Sequence, residues 1–274
     1  MPDNAPEEKF HDLFALDMQG VLVTEINTYF ARLKPVPLSG GNLAILRDYE
    51  QDPDHARKGL YALHHLEEVA YVGKTDGSLA ERLSDHLKKI GARKNIATAD
   101  VTFRCLYLDR NWSALAHETG LINEFKTAGG CSWNNGGFGL HDPGRNRDMT
   151  VLKENHFDRR FPVDPDIIPG IAPGSYSLIH VLQKLKIASP YLFRYETQKG
   201  FEFPGSHPDY VDHEVEIQPG ETARSILGKV VAELGEEWQV TFLYGYAIMY
   251  RENRDYGASR CQCWKIGSGD WQFV

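Results

Sequence analysis

Gly59-Leu-Tyr-Ala-Leu-His-His-Leu66 and Val69-Ala-Tyr-Val-Gly73 are two short runs of β-favourable residues separated by Glu67-Glu68. Two such runs with a brief polar break between them read as a hairpin. A Gly73-Lys-Thr-Asp-Gly77 turn follows, and Ser78 is placed to cap a helix from Leu79 to about Ile90. Leu79, Leu83, Leu87 and Ile90 recur at helical spacing, so one face of that helix is expected to be buried. A third strand is expected over 101–108 and a second helix over 111–126, after which Trp133-Asn-Asn-Gly-Gly-Phe-Gly139 enters a Gly-rich loop. The order β-β-α-β-α describes a compact α/β unit of roughly 80 residues.

The flanks are less regular. Upstream, a periodic stretch over 21–33 predicts a helix, and Pro35, Pro37 and the Gly40-Gly41 pair read as breakers. Downstream, Pro162, Pro165, Pro169 and Pro173 suggest a linker or irregular wrap. Helices are expected over 175–187 and 221–234, one long aromatic-rich strand over 239–250, and a last strand over 260–266 before the terminal Trp271-Gln-Phe-Val274. The expected class is α/β (α+β): a small mixed three-stranded sheet flanked by helices over 59–159, an N-terminal helical extension over 1–58, and a C-terminal α+β domain over 160–274.

Composition narrows the choices. A chain of 274 residues with 42% hydrophobic content can bury a sizeable core. No stretch approaches the ~20 apolar residues needed to span a bilayer, and the polar, acidic start does not read as a secretory signal. Cys105, Cys131, Cys261 and Cys263 do not suggest a disulfide scaffold or a zinc site, and read as reduced thiols in a cytoplasmic protein. The net charge of −8 argues against non-specific nucleic-acid binding. Neither half reverses it: residues 1–159 carry 19 basic and 23 acidic side chains, and residues 160–274 carry 11 and 15. Locally, Arg82, Lys88, Lys89, Arg93 and Lys94 stand against Asp85 alone. That cluster fits either a phosphate-binding patch or a solvated helix face.

Several of these residues together carry a resemblance. Gly59-Leu60-Tyr61, Tyr71-Val72-Gly73 ten residues later, Lys74, the Arg82-x-x-x-His86 pair on the first helix, Glu118 on the second, and Asn134 after Trp133 resemble the GIY-YIG nuclease superfamily. Taken singly, the tyrosines are ordinary strand aromatics and Arg82, His86 and Glu118 ordinary surface residues. It is their joint order that resembles the family. The likeness covers roughly 59–135, about a third of the chain. It implies a phosphodiesterase in which Tyr61 or Tyr71, near Lys74, acts as general base. Arg82 would clamp phosphate oxygens, and His86, one turn on, would relay a proton or position the tyrosine. Glu118 would hold a single Mg²⁺ or Mn²⁺. Gly73 and Asn134 would support the site.

The run from Trp133 through Gly136-Gly-Phe-Gly-Leu-His-Asp-Pro-Gly-Arg-Asn-Arg147 resembles the segment after the core in the superfamily's type II restriction endonucleases that cut CCGCGG. That implies double-stranded DNA as partner, with Arg145 and Arg147, beside Lys88 and Lys89, as contacts to phosphate or guanine edges. An exposed Gly/Pro-rich turn would look the same. A repair or structure-specific nuclease, or a binding protein on a decayed core, is the alternative. Cutting both strands of a palindrome would call for a homodimer or sequential nicking.

Overall fold

The computed structural model describes residue 15 and residues 17–109, 130–134, 136–139, 142–198, 206–257, 261–266 and 271–273. The helix expected over 111–126, with Glu118, lies outside the described residues.

The deciding hairpin forms as β2 (Gly59–His65) and β3 (Glu68–Thr75), joined through Leu66 and Glu67. Both turn residues adopt positive φ, 51° and 73°. A two-residue turn of that hand matches the right-handed twist of the strands it joins. Helix α1 (Met18–Arg32) precedes the hairpin, and α3 (Leu79–Gly91) follows it, its first turn capped by Ser78 Oγ on the Glu81 amide.

The expected breaker at Gly40-Gly41 is instead the start of a helix, α2 (Gly40–Glu50). Ser39 caps it through the Asn42 amide, and the first helical positions have no backbone partner to lose, so glycine is tolerated there. The sheet also differs from a mixed three-stranded one. β1 (Val36–Pro37) pairs with β4 (Val101–Tyr107), giving four strands in the order β1-β4-β2-β3, antiparallel throughout. The N-terminal segment is therefore part of the core. Ile26 and Phe30 of α1 pack on Leu60, Ala62 and Val72, while Tyr61, Leu63, Leu79, Leu83 and Phe103 pack on the opposite face. That division follows from strand alternation.

The outer edge of β3 is closed by the segment after the second expected helix. The amides of Cys131 and Trp133 donate to the carbonyls of Val69 and Ala70 at 2.6 and 2.8 Å. Asn134 then completes the edge with its side chain. Its Nδ2 donates to Val72 O at 2.8 Å and its Oδ1 accepts the Val72 amide at 2.9 Å.

A short helix α4 (Phe157–Arg160) leads into the proline-rich stretch, which is irregular. Beyond it, the helix expected from 175 begins later. Gly174–Ser177 is β5, paired with β7 (Glu214–Ile217), and α5 covers Leu178–Ala188. Helix α6 (Ala223–Leu234) starts after the Thr222 cap. The single strand expected over 239–250 is a hairpin, β8 (Trp238–Leu243) and β9 (Ala247–Arg251), because Gly245 sits in a tight connection. With β6 (Phe193–Tyr195), β10 (Cys261–Ile266) and β11 (Gln272–Phe273) it forms a five-stranded sheet, order β11-β10-β8-β9-β6. α5 and α6 bury Val181, Leu182, Ile226 and Val230 against Val240, Phe242 and Met249 of this sheet.

Candidate active site

Register places the two tyrosines on one face. Tyr61 lies opposite Gly73 and Leu63 opposite Tyr71, so Tyr61, Tyr71 and Gly73 all point toward α3. A Cβ at Gly73 would lie 2.5 Å from the Tyr61 ring carbon Cζ and hydroxyl and 2.7 Å from Tyr71. Only glycine lets the two rings, 6.1 Å apart between centroids, share this space.

Helix α3 supplies the partners. Arg82 and His86, spaced i,i+4, face the hairpin. His86 Nε2 lies 2.8 Å from the Tyr61 hydroxyl, and Arg82 Nε donates to that oxygen at 3.2 Å. Tyr61 is fully buried, whereas Arg82 and Tyr71 are half-buried and form the solvent side of the cluster. Burial, then the Tyr71 phenol, raises the Tyr61 pKa; the hydrogen bond and charge of Arg82 act to lower it. Burial, then the charges of Arg82 and Lys89, pulls His86 down to about 3. The imidazole is thus neutral, and its buried Nδ1 has no hydrogen-bond partner among the described residues.

Two expected members are elsewhere. Lys74 pairs with Leu60 in register, so strand alternation places it on the face toward α1, opposite the phenols. It is not the group that would lower a tyrosine pKa here. Lys89 does not offer its charge to a duplex surface: it is 4% exposed, and its Nζ donates to the carbonyls of Phe138 and Gly139 at 2.6 and 3.2 Å. Three residues on from His86, it lies on the buried stripe of the same helix. Lys88 is exposed. Arg145 and Arg147 are exposed, but Arg145 stacks 4.1 Å over the Tyr250 ring and reaches Glu196 at 3.4 Å, whereas Arg147 makes no ion pair among the described residues.

Three supporting groups were not among the expected site residues. Phe138, from the Gly-rich loop, stacks on His86 at 4.9 Å and meets Tyr71 edge-on at 4.9 Å. Glu50, at the end of α2, accepts the Ser78 hydroxyl, the Ala80 amide at 3.0 Å and the Tyr107 hydroxyl at 3.0 Å, and so fixes the start of α3. A carboxylate at that end also suits the helix dipole. Asp148, nearly fully buried, accepts Arg194 at 2.6 Å, Tyr246 at 2.7 Å and Tyr250 at 3.0 Å. It ties the Arg145–Arg147 turn to the C-terminal sheet. A sequence reader had one signal for Phe138, an aromatic isolated among glycines.

Among the described residues no group of three or more His, Cys, Asp or Glu is arranged to hold a metal. No described helix is long and apolar enough to cross a membrane.

A hairpin presenting two tyrosines to an Arg-x-x-x-His helix, with an asparagine closing the edge, has the arrangement of a GIY-YIG domain. Residues 58–159 match the family described as the Eco29kI GIY-YIG domain, which supports the GIY-YIG superfamily for this segment and, with it, a nuclease acting on DNA. No curated protein matches the chain.

Proposed function

We propose that this chain is a restriction-type endonuclease that hydrolyses phosphodiester bonds of double-stranded DNA with one divalent ion. The observation that carries the reading is the Tyr61 hydroxyl, held between His86 Nε2 and Arg82 Nε at 2.8 and 3.2 Å. A phenol between a neutral imidazole and a guanidinium can give up its proton once substrate arrives. Arg82 stabilises the phenolate by charge, the phenol proton being released to water, and His86 holds that oxygen by one hydrogen bond, accepted or donated according to its tautomer. Tyr61 is accordingly the general base. Tyr71 and Arg82, on the open side, bind and orient the phosphate, where the planar guanidinium fork suits its oxygens.

Mg²⁺ or Mn²⁺ on Glu118 is part of this proposal: a hard cation that binds oxygen donors and offsets charge on the departing 3′ oxygen. The carboxylate oxygens of Glu118 suit such an ion. The likeness to CCGCGG-cutting enzymes makes that palindrome the first target to try.

Plasmids with and without CCGCGG, incubated with the protein and Mg²⁺ beside Tyr61→Phe and Glu118→Ala, test the reading. Cleavage at fixed positions by the wild type alone supports it. Wild-type rates from Glu118→Ala would remove the metal assignment, and activity confined to flaps or single strands would favour a repair-type nuclease.

A further inference from the structure

Between the loop that follows the catalytic core and the C-terminal half lies a cavity of about 800 Å³. That volume is within the range that takes small organic ligands, and domain junctions are where such sites form. The lining includes apolar and aromatic groups, among them Pro143, Val151, Pro190, Tyr191 and Tyr246. It also includes four cations, Lys89, Arg93, Arg147 and Lys153.

Asp142, Asp148 and Asp158 also border the cavity, but each is already engaged. Asp158 takes Arg93 at 2.8 Å, and Arg194, outside the lining, reaches Asp142 at 3.3 Å and Asp148 at 2.6 Å. Lys89 is met by neutral carbonyls, and Arg147 and Lys153 make no ion pair among the described residues. A chain of net charge −8 thus leaves Lys89, Arg147 and Lys153 at this cavity without a carboxylate partner among the described residues. Arg93 is matched by Asp158, but Lys89, only 4% exposed, meets no carboxylate within ion-pair distance among the described residues. Buried charge is costly unless an opposite charge meets it. Cations beside an aromatic and prolyl wall match a phosphorylated nucleoside, with the base on the wall and the phosphate on the cations.

We propose that this cavity binds one nucleotide unit, apart from the scissile phosphate's place at Tyr71 and Arg82. The unit is either a free nucleotide or one turned out of the bound duplex. That the ligand is a nucleotide, among phosphorylated aromatics, rests on the nuclease reading. The cavity also adjoins the catalytic cluster. The Lys89 ammonium that faces it holds the carbonyl of Phe138, whose ring covers His86.

The test is binding without cutting, in EDTA. Deoxyadenosine monophosphate, deoxyadenosine and inorganic phosphate are titrated into the full chain by calorimetry. In parallel, a duplex carrying 2-aminopurine is followed by fluorescence, with its affinity read by anisotropy. Two variants accompany the wild type: Arg147→Ala/Lys153→Ala removes exposed cations, and Val151→Trp fills the cavity from an exposed position. The monophosphate is expected to bind at least about tenfold more tightly than the nucleoside or phosphate alone, and about tenfold more weakly to either variant. A 2-aminopurine rise that Val151→Trp abolishes, at unchanged duplex affinity, assigns the unit to the DNA; monophosphate binding without that rise assigns it to a free nucleotide. Neither signal, or monophosphate binding that both variants leave unchanged, overturns the proposal. A chain that cuts plasmid yet fails both arms loses the cavity site alone; one that binds monophosphate but cuts nothing loses the nuclease reading alone.

Discussion

The four-stranded sheet places a phenol, an imidazole and an ammonium inside its own core, where Tyr61, His86 and Lys89 are all nearly or fully buried beside Leu79, Leu83 and Phe138. The five-stranded sheet faces α5 and α6 with Val240, Phe242, Ala247 and Met249 against Val181, Leu182, Ile226 and Val230. Where it buries polar groups on β8, they are paired: Gln239 donates to Thr241 and the Arg254 carbonyl at 2.7 and 2.9 Å. In the first core His86 Nδ1 has no partner among the described residues. An unpartnered buried polar atom costs about 1–3 kcal/mol, a cost the second core also carries at the Tyr191 hydroxyl. The difference lies in what is buried: the first core holds the ionisable groups of the candidate site, the second is built almost wholly of apolar side chains.

The largest effect expected from that division is on rate. Tyr61→Phe keeps the ring and should lower plasmid cleavage by ~10²–10⁴-fold, the usual worth of a positioned general base, with melting little changed. Leu182→Ala in the other core should do the reverse, losing ~2–5 kcal/mol in urea titration with an unchanged rate per folded molecule. If Leu182→Ala abolished cleavage and Tyr61→Phe did not, the division would be wrong.

Acid should act on the first region. Because His86 is held at about 3 in the folded chain and titrates near 6.5 when unfolded, the unfolded state binds the extra proton between those values. Stability from this group is full above pH 6.5 and is lost as pH falls toward 3, by up to ~4 kcal/mol. Urea titrations from pH 7 to 4 should show this limb, and His86→Phe should flatten it.

The junction comes next. Asp148→Ala leaves Arg194 with one fewer buried partner and should cost about 3 kcal/mol, splitting the two regions into separate melting steps by calorimetry. Arg145→Ala, removing an exposed pair with Glu196, should cost less than ~1 kcal/mol in the same measurement.

The hairpin and α3 were legible because each is specified locally. Alternation, a Ser78 cap and the 79, 83, 87, 90 spacing all act within a few residues of one another. The same alternation puts Lys74 on the far face from Tyr71 and Gly73, so its displacement from the site was readable in the sequence yet not drawn from it. Gly40-Gly41 misled because glycine breaks a helix interior but not a capped first turn. The long strand over 239–250 misled because apolar and aromatic residues continue through the turn at Gly245. Asp148 and Arg194 could not be paired from sequence, since they lie 46 residues apart with no repeat linking them. Nor could Glu50 be matched to α3, whose start it meets 28 and 30 residues later.

Asn134 has a consequence for assembly. Its carboxamide occupies both backbone groups of Val72, as a neighbouring peptide would. The opposite margin of that sheet is the two-residue β1, which contains Pro37 and so lacks one amide. With one border occupied and the other broken, that sheet offers a second copy little open backbone to join among the described residues. A two-fold pair built to sever both strands would meet elsewhere than along this sheet, and the distance between its two cuts would be set there.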